Sequence, residues 1–209
     1  SPAASGTGGG GGTGGGSHGG GLPCHPPDLV DTFDGPQISS FWLPVGGDIT
    51  GISNGRLVLT PIVQHPTDQW GGIEFTATCE VQDCSIWVEV PTKIDLITGG
   101  SALHLRHDDG NFSDIRGNKH FMEFEVQVDG ESDQVEYPYD EVAHRWWRMR
   151  EEAGQFYLET SPNGSSWVTQ HQVPSPSYLD SVSVQLVLWL AESQPAAGIA
   201  EFDNVNVVP

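Results

Sequence analysis

Residues 144–167, with the sequence HRWWRMREEAGQFYLETSPNGSSW, constrain the fold of this chain more than any other stretch. Apolar and polar residues alternate along 145–151 and again along 156–159, which is the period of half-buried β-strands. Within 160–164 a proline presets φ, an asparagine tolerates the next position and a glycine accepts positive φ, so the chain turns there. The stretch therefore predicts an antiparallel hairpin and the start of a third strand.

The alternation assigns one face of this hairpin to the core and the other to solvent. The apolar positions expected in the core are Trp147, Met149, Phe156 and Leu158. Aromatic side chains beside charged hydrogen-bonding groups make up the other face, and this combination suits the binding of a sugar ring. The predicted ligand-binding residues are Trp146, Arg148, Arg150 and Tyr157, joined by Trp70 from another strand or loop. The alternative is that Trp146 is covered by a loop.

The remainder of the chain repeats this pattern. Short apolar runs bounded by Gly, Pro, Asn or Asp follow one another, and no segment has a convincing helical period. This pattern predicts an all-β domain over residues 28–209, with two antiparallel sheets packed as a sandwich. The segment 1–27 differs in composition, because twelve of its first 21 residues are glycine and none of those 21 is charged. It is expected to be a flexible Gly/Ser/Pro-rich tether.

Charge narrows the choice of partners. The chain carries 28 acidic and 8 basic residues, a formal net charge of −20, so nucleic acid and anionic lipid surfaces are poor partners for it. A neutral polysaccharide, a calcium ion or plain solubility suits this balance better. No run of 18 apolar residues is present, so nothing is expected to span a membrane.

Two cysteines close together predict a covalent link. Cys79 and Cys84 lie at the ends of a short hairpin loop, and a disulfide between them would favour an oxidising compartment. Cys24 is the odd one out, and it could remain unpaired, bond to another chain or displace one of the other two.

Several phrases resemble the bacterial concanavalin A-like lectin/glucanase domains, relatives of laminin-G-type jelly rolls. They are Tyr139-Asp140, the run 144–151, the run 159–164, Trp167, and the terminal segments 31–34 and 201–205. The resemblance implies a jelly-roll fold with the first and last strands side by side. The Gly-rich segment in turn resembles the leaders that follow the lipidated cysteine of bacterial surface lipoproteins. A plain linker, a remnant of an expression tag, or glycines stacked in an assembly are the alternatives.

The resemblance also raises the question of catalysis. Glucanases of this superfamily carry three acids on one strand, as E-x-D-x-E or E-x-D-x-x-E. Here Glu123 and Glu125 share one strand face, but Gln127 or Val128 stands at the third position. A carboxylate pair is what glycoside hydrolysis needs. Because the triplet is incomplete, the sequence favours a domain without catalytic activity, with Glu123 and Glu125 as weak catalytic candidates.

Two sets of oxygen ligands are candidates for a structural calcium ion, although no cofactor is required for folding. Terminal strands that lie side by side would group Asp31, Asp34, Asp203 and Asn204. A Gly-containing turn holds Asp108, Asp109, Asn111 and Asp114. The alternatives are strand-end caps for the first set and an ordinary hairpin turn for the second.

The resulting functional expectation is a secreted or bacterial surface-tethered module that recognises a polysaccharide or glycan without cleaving it. One alternative is a structural subunit of an extracellular assembly that self-associates through its Gly-rich arm. The other is a glycoside hydrolase or lyase with an unusual acid set.

Overall fold

The computed structural model describes residues 28–46, 49–61, 69–191 and 198–208. The expected tether and Cys24 lie outside these ranges. Within them, no helix is long and apolar enough to cross a membrane.

The described domain contains fourteen short strands and a 3-10 helix at Ser177–Asp180. In chain order the strands are β1 Trp42–Gly46, β2 Ile49–Ile52, β3 Leu57–Thr60, β4 Gln69–Phe75, β5 Ser85–Thr92, β6 Gly99–Arg106, β7 Phe112–Gly117, β8 Phe121–Val128, β9 Glu131–Pro138, β10 Trp146–Glu152, β11 Gln155–Ser161, β12 Val168–Pro174, β13 Ser183–Leu190 and β14 Ala200–Asp203.

The strands form two antiparallel seven-stranded sheets. Sheet A has the order β1-β4-β13-β6-β7-β8-β9, and sheet B has the order β12-β11-β10-β5-β14-β3-β2. Their inner faces pack together into one apolar core. The predicted all-β sandwich is confirmed, and its two-sheet topology is consistent with a jelly roll.

The hairpin that dominates the sequence forms as predicted. Strands β10 and β11 pair in register, with Met149 opposite Leu158. The four residues expected in the core are fully buried: Trp147, Met149, Phe156 and Leu158. Trp147 also donates its indole N–H to the carbonyl oxygen of His144 at 2.9 Å, so its polar edge is satisfied inside the core.

The two ends of the domain meet as the family resemblance implied. Asp31 and Val205 exchange backbone hydrogen bonds of 3.1 and 2.8 Å, which forms an antiparallel bridge between the first and last segments. The Asp31 side chain also links the first segment to β1, because its carboxylate accepts hydrogen bonds from the Phe33 amide, the Ser39 hydroxyl and the Trp42 indole.

The expected disulfide does not form in the structure. Cys79 is fully buried and its backbone bridges to Val182, whereas the Cys84 thiol donates to the carbonyl oxygen of Glu80 at 3.4 Å. Burial, reinforced by neighbouring carboxylates, raises the pKa of the Cys84 thiol to about 12. This thiol is therefore a poor nucleophile for disulfide exchange.

Candidate functional site

The outer face of sheet A carries a continuous row of polar side chains. Pairing registers align one residue from each of six neighbouring strands: Glu74, Gln185, His104, Asp114, Glu125 and Gln134. Their chain neighbours Ile73, Val184, Leu105, Ile115 and Phe124 lie in the core. Because side chains alternate along a strand, the six polar residues share the outer face.

His104 stands at the centre of this row. It is buried, and its Nδ1 lies 3.2 Å from Oδ2 of Asp114. The imidazole has an aromatic ring on either side, with centroids 5.1 Å away at Trp70 and 5.2 Å away at Phe112. Trp70 itself is 37% exposed, so one aromatic surface of this group faces solvent.

Gln185 is the most unusual residue of the row. It is 4% exposed, and among the residues that the structure describes its amide oxygen has no hydrogen-bond partner. A buried polar atom without a partner costs free energy, on the order of 1–3 kcal/mol. Gln185 lines a cavity of about 440 Å³ together with Trp70, Glu74, His104 and Arg106.

Trp189 places a second indole on the same face, in register with Trp70 of the neighbouring strand. Its Nε1 atom lies 2.8 Å from the point where a Cβ on Gly100 would stand. Only a glycine lets the indole lie this close over the backbone of β6. The sequence analysis missed Trp189. The Gly99-Gly100 pair at the start of β6 is a signal for close approach, but the pairing of β6 with β13 is needed to interpret it.

Arg116 forms ion pairs with three carboxylates on the same face. Its guanidinium contacts Glu123 and Glu125, and its Nε lies 3.0 Å from Oδ1 of Asp114. Ser132 donates a further hydrogen bond of 2.6 Å to Glu125. Burial acts to lower the pKa of Arg116, but the carboxylates outweigh it and raise that pKa. Burial also raises the pKa of Glu123, against the opposing effect of Arg116.

The side chains predicted to form a ligand surface on the β10–β11 hairpin pack against one another instead of facing solvent together. Trp146 points away from the core but is only 7% exposed, so its ring is not the open platform that was expected. Arg148 and Arg150 both bind Glu159, at 2.7 and 3.2 Å. Arg148 also lies over the Trp167 ring and Arg150 over the Tyr157 ring, each at 4.1 Å. These groups satisfy one another, and Trp70 lies in the other sheet, so the five predicted residues do not form one site.

Most members of the two predicted calcium sets are held by other groups of the protein. Asp108 binds the backbone of Gly110 and the Asn111 amide, and Asp109 pairs with Arg106 at 2.5 Å, whereas Asp114 faces His104. At the other candidate site the Asp31 carboxylate already accepts three hydrogen bonds, from Phe33, Ser39 and Trp42. Of its remaining members, Asp203 lies 3.9 Å from Arg56, and Asn204 donates to Glu89 at 2.6 Å. Within the described residues, no group of three or more His, Cys, Asp or Glu is arranged to hold a metal ion.

No protein-family model and no curated protein matches the chain. Its fold is nevertheless that of several solved glycoside hydrolases. The Bacillus licheniformis beta-glucanase aligns with a TM-score of 0.64 at 11% identity, covering 85% of this chain and 95% of that one. The laminarinase catalytic domain of Thermotoga petrophila, an endo-1,3-beta-glucanase, aligns with a TM-score of 0.60 at 9% identity, over 85% and 94% of the two chains.

An endo-β-galactosidase from Clostridium perfringens that releases GlcNAcα1-4Gal is also similar, with a TM-score of 0.62 and 9% identity. The match covers 86% of this chain but only 60% of that enzyme. At such identities the likeness shows the fold alone. The incomplete acid triplet led us to expect a domain without catalytic activity, and that expectation is wrong. The fold found here is one on which glycoside hydrolases are built.

Proposed function

We propose that this protein binds a polysaccharide chain across the outer face of sheet A. The observation that supports the proposal most strongly is the meeting of three features on that face. These are the exposed ring of Trp70, the indole of Trp189 over Gly100, and the buried amide oxygen of Gln185. Flat apolar rings beside hydrogen-bonding groups match the two kinds of surface that a sugar ring presents.

The free energy of such binding has a physical source on this face. A ligand hydroxyl that donates to Gln185 would satisfy a buried acceptor that has no partner among the described residues. The cavity of about 440 Å³ beside it falls within the range of small-ligand sites. Stacking on Trp70 would add contact area without the loss of much side-chain freedom.

The charge of the face indicates which polysaccharides fit. Carboxylates outnumber cations there, since Glu74, Asp114, Glu123 and Glu125 face Arg106 and Arg116. The whole chain carries a net charge of −20. On this face an anionic polysaccharide would find no compensating cation, because Arg106 and Arg116 are already paired with carboxylates. We therefore propose a neutral polysaccharide, whose hydroxyl groups can donate to the many acceptors.

Affinity electrophoresis in gels that contain a neutral β-glucan tests the proposal. Retardation of the wild-type protein, reduced in Trp70→Ala and in Trp189→Ala, is the expected result. Trp167→Ala is the matched control, because Trp167 packs on Arg148 on the outer face of sheet B. If Trp167→Ala lost retardation while both sheet A variants kept it, binding would belong to sheet B and the proposal would be withdrawn.

Glycoside hydrolysis on the same face is a second candidate, favoured by the cluster around Arg116. Glu123 is the candidate general acid, because burial raises the pKa of its partly exposed carboxyl group. Glu125, which accepts hydrogen bonds from Arg116 and Ser132, is the candidate second carboxylate. Release of reducing sugar from a bound β-glucan, abolished in Glu123→Gln while binding persists, would establish this activity. Equal turnover by the variant would exclude Glu123 as the acid.

The proposed setting is the outside of a bacterial cell, with the domain secreted or tethered to the surface. Support comes from the composition of residues 1–27 and from the acidic charge of the chain. Fractionation of cells that express the native gene, followed by detection of the protein in the envelope or the medium, tests this setting.

A further inference from the structure

A second cavity lies apart from the face described above and has a different chemistry. It has a volume of about 600 Å³, and the lining residues that matter here are Lys93, Asp95, Tyr139, Glu141 and Arg145. It shares no lining residue with the cavity beside Gln185. Its walls come from the end of β5 and from the connection between β9 and β10.

Positively charged side chains are scarce in this chain, yet this cavity has two of them in its lining, beside the carboxylates of Asp95 and Glu141. The protein has 8 lysines and arginines against 28 acidic residues. Two of the eight, Lys93 and Arg145, line the cavity. A third, Lys119, lies 3.4 Å from Oδ2 of Asp95, whose other oxygen is paired with Lys93.

Lys93 is poorly satisfied by its surroundings. Its side chain is only 9% exposed, and its ion pair with Asp95 is long, at 3.8 Å. Its Nζ lies 4.3 Å from the centre of the Tyr139 ring, and it forms no hydrogen bond with the described residues. Burial lowers the pKa of this ammonium group, against the opposing effect of Asp95. A largely buried ammonium whose three donors have one long ion pair, a ring contact and no hydrogen bond among the described residues favours the entry of an anion.

Arg145 supplies a fixed second cation. Its Nε and Nη2 hold Oε1 of Glu89 at 2.8 and 2.7 Å, and its Nη1 points at the carbonyl oxygen of Pro91 at 3.5 Å. The guanidinium is therefore oriented before any ligand arrives. Asp95, by contrast, is 70% exposed and can swing away from Lys93 at little cost.

We propose that this cavity binds the carboxylate of a sugar acid, that is, a uronate residue. The carboxylate would take the place of Asp95 beside Lys93 and lie within the field of Arg145. Carboxylates at the cavity wall, Glu141 and the displaced Asp95, would accept hydrogen bonds from the sugar hydroxyls. The cavity then offers donors to the acid group and acceptors to the hydroxyl groups. A uronate uses both, whereas a simple anion uses only the donors.

Carbon-13 NMR of protein labelled at lysine tests this site directly, because Lys93 and Lys119 are the only two lysines of the chain. Titration with glucuronate should shift the Lys93 signal and raise its pKa, since the carboxylate stabilises the charged form. Titration with glucose at the same concentration should leave the signal unchanged, and acetate, which has the carboxylate but lacks the hydroxyls, should shift it less than glucuronate does. An equal response to glucose or to acetate would overturn the proposal of a uronate.

Three variants sharpen the test. Lys93→Met should weaken glucuronate binding at least about tenfold, the factor that 1.4 kcal/mol represents. Asp95→Asn should tighten it, because it removes the internal competitor. Arg106→Met removes a cation that pairs with Asp109 at the other cavity, and this variant, with an unchanged melting temperature as the check on folding, should bind glucuronate like the wild type. If Asp95→Asn weakened binding, or if a folded Lys93→Met bound as tightly as the wild type, the site would not exist as described.

Discussion

The indole Nε1 of Trp189 lies 2.8 Å from the point where a Cβ on Gly100 would stand. The two residues pair across neighbouring strands, and the indole fills the space that a side chain at position 100 would need. A methyl group at that point must displace the indole, because real Cβ atoms essentially never approach so closely. The position of Trp189, and with it the aromatic surface of sheet A, therefore depends on a residue that has no side chain.

Replacing Gly100 tests this dependence. We expect Gly100→Ala to lose most of its retardation in β-glucan gels, because Trp189 is displaced. Its melting temperature is measured alongside, since the new Cβ would also stand 3.0 Å from the carbonyl oxygen of Gly117. Gly51→Ala is the matched control, since a Cβ there meets nothing within 4 Å and the residue lies in a strand of sheet B. Equal retardation of both variants would show that Trp189 does not contribute to binding.

The amide of Gln185 gives a prediction in which stability and binding move in opposite directions. Gln185→Met keeps the size of the side chain and removes a buried oxygen without a partner among the described residues. The free energy of unfolding should stay the same or rise, by roughly 1 kcal/mol at most. Glucan affinity should fall. Chemical denaturation and affinity electrophoresis measure the two effects, and a variant that was less stable yet bound normally would contradict the assigned role.

The fully buried Trp147 predicts a large effect on folding. Trp147→Ala should cost about 3–5 kcal/mol of unfolding free energy, as expected for a large aromatic residue removed from a core. Trp167→Ala should cost much less, because that ring packs on Arg148 at the surface. Urea denaturation of both variants decides the point, and similar losses would mean that the inward assignment of β10 is off by one residue.

The local sequence pattern predicted the sandwich and the hairpin core, but it did not predict the candidate site. Trp147 and Leu158 follow from alternation, which needs only a few neighbouring residues. Trp146 shares that alternation, yet its exposure depends on what covers it, and no periodicity reports this. Glu123 and Glu125 were visible on one strand, whereas their link to Arg116 required the pairing of β7 with β8. The meeting of Trp70 with Trp189 likewise depends on pairing between residues more than a hundred positions apart.

The buried carboxylate of Glu159 predicts a loss of stability in acid. Burial acts to raise its pKa, but the hydrogen bonds from Arg150 and Arg148 outweigh it and hold the pKa below its usual value. A depressed pKa stabilises the fold above the unfolded-state value of about 4.3, and that stability is lost as the pH falls through the folded-state pKa. Thermal melts between pH 7 and pH 2 should therefore decline more steeply for the wild type than for Glu159→Gln. Parallel curves would show that the two arginines contribute no pH-dependent stability.

The seven tryptophans offer the most direct test of the proposed function, because each indole N–H gives one signal in a proton–nitrogen spectrum. The signals would be assigned by single Trp→Phe variants and followed while a neutral β-glucan oligosaccharide is added. Binding on sheet A predicts that Trp70 and Trp189 shift together and saturably, while Trp87, Trp146 and Trp167 on sheet B stay in place. Shifts confined to the sheet B tryptophans, or no shift with any neutral glucan offered, would contradict the proposal.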